Sequence, residues 1–129
     1  MLKDKTVGDP IIESTLTFDL AQEGLLCVLK PYQADVMRFL WDTKESQTSR
    51  DAYDHVQKSE VEGAKSRASV INFLNTMVDE GFLDYIEETG KGGYHRIYSL
   101  NELSETEQVF KDAISQRIVD KLKTFKADG

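Results

Sequence analysis

Residues 64–100, AKSRASVINFLNTMVDEGFLDYIEETGKGGYHRIYSL, decide the fold that we expect for this chain. The segment 64–81 has an apolar stripe at helical spacing, formed by Val70, Ile71, Leu74, Met77 and Val78, and it predicts a helix with one buried face. Two strand-like segments follow at 82–89 and 94–100, and the glycine-rich residues 90–93 join them as a tight hairpin. A helix followed directly by such a hairpin predicts the recognition helix and wing of a winged helix-turn-helix.

Two shorter helices are expected before this segment. Pro31 suits the first turn of a helix over 31–42, whose apolar face comprises Ala34, Met37, Leu40 and Trp41. A polar loop is expected at 45–48, where Thr48 or Ser49 caps a helix that turns Ala52, Tyr53 and Val56 inward. Further upstream, the apolar run 25–29 suits either a strand or a helix, and the alternation over 15–20 predicts a short strand.

The last helix, expected over 105–125, is capped in this interpretation by Ser104 with Glu107 as its partner. Its apolar side is longer than the core of one chain requires, so we expect it to pack against a second copy. The predicted dimerisation residues are Val109, Phe110, Ile114, Ile118, Leu122 and Phe125. The chain thus divides into an N-terminal extension (1–23), a winged-helix domain (24–101) and a C-terminal dimerisation helix (102–129), and its fold class is mainly α with a small β-hairpin.

The composition narrows the class of protein. The 129 residues are 40% hydrophobic and 30% charged, as in ordinary globular domains, and contain one cysteine, Cys27. With no signal-peptide core and no membrane-length apolar run, the chain is expected in the cytoplasm. We find no spacing typical of a metal site, no phosphate-binding glycine loop and no nucleophile beside a base, so no cofactor and no enzymatic activity are expected.

The net charge of −7 opposes binding to DNA, but the charge is unevenly distributed. Residues 58–76 carry three basic and two acidic side chains, and residues 89–98 carry two basic side chains and no acid. Residues 77–88 carry five acids and no base. The basic segments are those expected at DNA, so we predict modest affinity per protomer and a dimer for useful binding.

The candidate DNA contacts lie on the polar side of the third helix and on the wing. Asn pairs with adenine edges, Ser and Thr bond to bases or phosphates, and a helix N-terminus favours phosphate. An ordinary solvated helix face and an ordinary surface hairpin are the alternatives. The predicted contacts are Lys65, Ser66, Arg67, Ser69, Asn72 and Thr76 on the helix, with Lys91, Tyr94, His95 and Arg96 on the wing.

Over residues 24–126 the chain resembles the penicillinase-repressor (BlaI/MecI-type) family of winged-helix transcriptional regulators. The segment ADVMRFLW (34–41) is similar to the first core helix of that family, and SVINFLNTMVDEGFL (69–83) resembles its recognition helix. The wing ending in Tyr98 is also similar to the MarR and PadR families. The resemblance implies a homodimer joined through the C-terminal helix that binds a palindromic operator, with Ser69, Asn72 and Thr76 at the bases.

The sequence departs from the family at two places. Thr76 stands where Arg is frequent, and Asp79 and Glu80 stand where a basic residue is common, which affects the affinity and sequence of the operator. There is no C-terminal Cys-x-Cys, so the copper-sensing branch is not expected.

Two alternatives remain open at this stage. Winged helices also serve as protein–protein interaction modules, which suits the acidic net charge. A MarR-like regulator, by contrast, would bind a small-molecule effector in an apolar pocket near Trp41, Phe110 and Ile114.

Overall fold

The computed structural model of the chain describes residues 17–59, 66–90 and 92–128. These residues form a 3-10 helix (Gly24–Cys27), four α-helices and three strands. In chain order the elements are α1 (Pro31–Thr43), β1 (Gln47–Thr48), α2 (Ser49–Ser59), α3 (Arg67–Asp79), β2 (Leu83–Gly90), β3 (Gly93–Leu100) and α4 (Glu107–Asp128). The predicted class is confirmed, because a mainly helical chain with a small antiparallel sheet and a C-terminal helix is compatible with a winged helix-turn-helix.

The sheet has three strands in the order β1-β3-β2, all antiparallel. Strands β2 and β3 form the predicted hairpin, with Leu83 opposite Leu100 and Gly90 opposite Gly93. Strand β1 adds a short edge, with Gln47 opposite Tyr98. The predicted loop over 45–48 was wrong at residues 47–48, which form this strand. A strand of two residues is too short to show an alternating apolar pattern in the sequence.

Local side-chain contacts determine where α2 and α3 begin. The backbone N–H of Asp51 donates to Thr48 Oγ1 at 3.1 Å, and the N–H of Thr48 donates to Asp51 Oδ2 at 3.1 Å, which confirms Thr48 as the cap of α2. Ser66 caps α3 by accepting the N–H of Ser69. At the other end of α3, Gly81 has a φ of 89°, the left-handed conformation in which glycine commonly ends helices.

The core lies between α1, α2, α3, the base of the hairpin and the first half of α4. Helix α3 contributes Phe73 in addition to the predicted stripe, while Ile71 and Val78 are only partly buried. The largest fully buried side chains are Phe82, Phe110, Met37, Leu40, Leu74, Met77, Leu83, Val36, Val56 and Val70. One contiguous core supports every element next to α3.

The segment before α1 lies on this core without forming a strand. Residues 15–16 of the predicted strand lie outside the described residues, and residues 17–20 have no strand conformation. Leu25 and Leu29 are buried in the core, which fixes the 3-10 helix to the domain. The N–H of Asp19 donates to the Cys27 carbonyl at 2.6 Å, so residues 19–27 close into a compact loop.

Helix α4 begins two residues later than predicted, and Thr106 caps it by accepting the N–H of Val109 at 3.1 Å. The predicted cap, Ser104, is fully buried instead. Its hydroxyl donates to the Phe82 carbonyl, and its own carbonyl accepts the Trp41 indole N–H at 2.7 Å. Ser104 therefore joins the start of β2 to α1 rather than capping a helix.

The apolar side of α4 is divided between the protomer core and solvent. Phe110 is 0% exposed and Ile114 is also buried, so their prediction as dimer contacts was wrong: the chain itself occupies their surface. Val109 is half-buried, and Ile118 packs partly against the core. Leu122 and Phe125 are 52% and 74% exposed, and Val119 is exposed beside them. Among the predicted dimerisation residues, Leu122 and Phe125 are therefore the ones most exposed to a partner.

An ion pair attaches α4 to the end of α3. Arg117 Nη1 lies 2.6 Å from Glu80 Oε1, and Nη2 donates to the Glu80 carbonyl at 2.9 Å. The same guanidinium lies 4.5 Å from the centre of the Phe82 ring. This combination of a two-point hydrogen bond and an aromatic contact holds α4 against the helix that carries the candidate site.

Candidate nucleic-acid interface

Helix α3 presents a polar face to solvent that is not used by the rest of the domain. Ser66, Arg67 and Asn72 are exposed, and Ser69 and Thr76 are half-exposed. Within the described residues, the side chains of Ser69, Asn72 and Thr76 have no hydrogen-bond partner. Three adjacent polar side chains therefore keep their donors and acceptors available for an external molecule.

The charge along α3 changes sharply near its end. Between Ser66 and Val78 the only charged residue is Arg67, whereas Asp79 and Glu80 follow at once. In a protein of net charge −7, a helix face without any carboxylate over more than three turns is a distinct surface. It is the part of α3 that a polyanion approaches with the least repulsion.

The wing places two of its predicted side chains in solvent. Tyr94 is 77% exposed and His95 is exposed, next to the turn where Gly92 and Gly93 adopt φ values of 89° and 107°. Positive φ at these positions permits the tight turn. Two further predicted contacts, Lys65 and Lys91, lie outside the described residues.

Arg96 differs from the expected phosphate contact at the wing. Its Nη1 donates to Asn75 Oδ1 at 3.0 Å, and its guanidinium lies 4.0 Å from the centre of the Tyr85 ring. The side chain is half-buried between the hairpin and α3. One of its N–H donors and one face of its guanidinium are thus engaged within the chain, so a contact between Arg96 and DNA stays a prediction that rests on its remaining donors.

Asn75 is a residue that the sequence analysis missed. Its Oδ1 also accepts the hydroxyl of Tyr98 at 2.6 Å, so one amide oxygen joins both Arg96 and Tyr98 of β3 to α3. A signal was present in the sequence: Asn75 lies four residues after Ile71 and three before Val78, on the apolar side of the helix. A polar residue at such a position is typically hydrogen-bonded to a buried partner.

Burial raises the pKa of Tyr98 above its ordinary value of 10.0, and the nearby Arg96 charge opposes the rise without cancelling it. A raised pKa in the folded state means that folding favours the protonated phenol. The stability this group contributes is therefore complete below pH 10 and is lost as the pH rises through its folded-state pKa. We expect the stability of the protein to fall above that pH.

The substitution Tyr98→Phe tests this dependence. At neutral pH it should lower the free energy of unfolding by about 1 kcal/mol, through loss of the hydrogen bond to Asn75. Because only the unmodified chain has a phenol to ionise here, the difference between the two proteins should shrink in alkaline buffer. Urea unfolding at several pH values measures it, and a constant difference would contradict the role of Tyr98.

A cleft of about 590 Å³ lies alongside the outer face of α3. One wall comprises Ser69, Asn72 and Thr76, and the opposite wall comprises residues of the segment 17–33, among them Asp19 and Lys30. The predicted base-contacting residues thus form one side of a cleft. The cleft was not predictable from the sequence, because periodicity gives no indication of where the segment before α1 lies.

The apolar ligand pocket expected near Trp41, Phe110 and Ile114 was placed wrongly. The Phe110 ring packs edge-to-face against Phe82 and Trp41, with centroids 5.0 and 5.7 Å away, and Ile114 is buried with them. These side chains occupy the space themselves.

In the part of the chain that the structure describes, no group of three or more His, Cys, Asp or Glu residues is arranged to hold a metal ion. No helix in that same part has the length and apolar character needed to cross a membrane. Comparison with models of protein families, with curated proteins and with solved structures found no match for this chain.

Proposed function

We propose that this protein is a dimeric winged-helix transcriptional regulator of the penicillinase-repressor type that acts in the cytoplasm and represses by binding an operator. The observation that carries the proposal is the polar face of α3, where Ser69, Asn72 and Thr76 have no hydrogen-bond partner among the described residues and where the helix carries no carboxylate before Asp79. A winged-helix frame presents such a face to the major groove.

The proposed contacts follow from the chemistry of each side chain. Asn72, exposed near the middle of the face, pairs with an adenine edge, and Ser69 and Thr76 bond to neighbouring bases. Ser66 and Arg67 lie at the N-terminus of α3, where backbone N–H groups and a guanidinium favour a phosphate. Lys91, Tyr94 and His95 contact the flanking backbone from the wing, and Lys65 supplements the phosphate contacts near α3.

The proposed dimer forms through the last part of α4. Val119, Leu122 and Phe125 recur at intervals of three residues and are all exposed, and the partly buried Ile118 continues the same side of the helix. An exposed apolar stripe of this kind on a projecting helix is typical of a helix–helix interface. Two protomers also place two such α3 faces on one DNA duplex, which doubles the number of contacts in the complex.

A titration of DNA fragments that include the region upstream of the gene tests this function. At low salt we expect binding that prefers one fragment and weakens steeply as salt is raised. Substituting Asn72 with Ala should change which sequences are preferred, at a cost of about 1–3 kcal/mol for the best site. Gln57→Ala, an exposed amide on α2, is the matched control and should leave the preference unchanged.

Failure to bind any fragment at low salt, by a protein that is dimeric, would contradict the proposal. It would favour the protein–protein interaction module, for which the acidic surface of β2 is the supporting observation: Asp84, Glu87 and Glu88 are all exposed on that edge strand. Preserved sequence preference in the Asn72→Ala protein would remove Asn72 from the residues that contact bases.

A further inference from the structure

Contacts with the core hold the walls of the cleft beside α3 in place. The wall formed by the segment 17–33 is anchored because Leu25 and Leu29 are buried in the core and the Asp19 N–H donates to the Cys27 carbonyl. Its volume of about 590 Å³ falls in the range of ligand sites, which is roughly 300–1,000 Å³. Tyr32 and Phe73, in edge-to-face contact, are among the residues that line it.

The charges on the cleft wall are of opposite sign and unneutralised. Asp19 and Lys30 both line the cleft and are exposed, and within the described residues neither forms an ion pair. Their own separation therefore exceeds the range of a direct salt bridge. A ligand that carries both an ammonium and a carboxylate would satisfy the two charges together, whereas a ligand of single charge would leave one of them unpaired.

The other polar groups of the cleft suit the same kind of ligand. Ser69, Asn72 and Thr76 on the α3 wall supply hydroxyl and amide groups without partners in the described chain, and Gln22 adds an amide from the opposite wall. These groups hydrogen-bond equally well to an amide, a hydroxyl or a peptide unit. We propose that the cleft binds a small zwitterion of amino-acid or dipeptide size, held by Asp19 at its ammonium and by Lys30 at its carboxylate.

A regulatory consequence rests on the proposed function. The side chains that would contact bases also line the cleft: Ser69, Asn72 and Thr76. The ligand and DNA therefore compete for these side chains, and each lowers the affinity of the protein for the other. The cleft itself does not depend on DNA binding, and its occupancy is measured without DNA.

Thermal unfolding of the full chain with free amino acids and dipeptides at millimolar concentration is the first test. A ligand that binds only the folded state raises the midpoint of unfolding. We expect at least one zwitterion to do so, and we expect its affinity to fall roughly tenfold in Asp19→Asn with Lys30→Gln, by loss of charge-assisted hydrogen bonds. Glu23→Gln with Lys58→Gln removes the same charges outside the cleft and should bind like the unmodified chain.

Several results would overturn the ligand assignment: no stabilisation by any zwitterion, equal affinity in the Asp19/Lys30 variant, or stabilisation by neutral sugars or nucleosides alone. A separate titration adds the ligand to the protein–DNA complex, where release of DNA supports the shared face. Ligand binding by a protein that binds no DNA would contradict the proposed function and leave the cleft assignment standing. DNA binding without any zwitterion would do the reverse.

Discussion

Substituting Phe110 with Ala should lower the free energy of unfolding by about 3–5 kcal/mol. The phenylalanine is 0% exposed and packs edge-to-face against both Phe82 and Trp41. Its removal leaves a cavity where α1, β2 and α4 meet, and the rigid rings around it cannot collapse to fill the space. Urea or thermal unfolding of the purified protein measures the loss.

The matched control is Phe125→Ala on the same helix, where the ring is 74% exposed. It should change the stability of the isolated protomer by less than about 0.5 kcal/mol. Measurements at several protein concentrations separate the two effects, since a loss within the protomer core does not depend on concentration. An equal and concentration-dependent loss in both variants would show that Phe110 belongs to an interface between chains.

The second large effect is expected from Leu122→Glu combined with Phe125→Glu. If the end of α4 joins two protomers, four apolar side chains leave the interface and four carboxylates face one another. At about 1.5–3 kcal/mol for each buried side chain, the dimer dissociation constant should rise a thousandfold or more. DNA affinity should fall with it, because one protomer offers little positive surface.

Sedimentation at several concentrations measures the mass, and circular dichroism checks that the protomer is folded. Thr124→Glu with Ala127→Glu adds the same charge on the opposite side of α4 and should leave the dimer intact. A monomeric unmodified protein, or a double variant that remains dimeric, would exclude this face as the interface.

The elements predicted well from sequence are those with a long, repeated pattern. The apolar pattern of α1, α3 and the hairpin extends over eight or more residues. The end of α3 was predictable too, because Gly81 itself adopts the positive φ that commonly ends a helix. Strand β1 could not be predicted this way, because two residues carry no period and pair only through the distant Tyr98.

The candidate site was predicted only in part, because tertiary contacts decide which side chains are free. Periodicity correctly indicated the polar side of α3 but could not show that Asn75 accepts a hydrogen bond from Arg96. Nor could it show where α4 leaves the core, since Phe110 and Phe125 lie on one stripe and differ only in what surrounds them. The cleft depends on where the segment before α1 packs, and no local sequence pattern predicts that position.

The attachment of Arg117 to Glu80 has a consequence for the geometry of an operator. It ties the direction of α4 to the end of α3, and the 22 residues of α4 span about 33 Å. In a dimer joined through α4, the angle between the two copies of α4 then sets the distance between the two recognition helices. Arg117 and the part of α4 that follows it would therefore determine the number of base pairs between half-sites. The substitution Arg117→Ala would widen the range of half-site spacings that the dimer accepts.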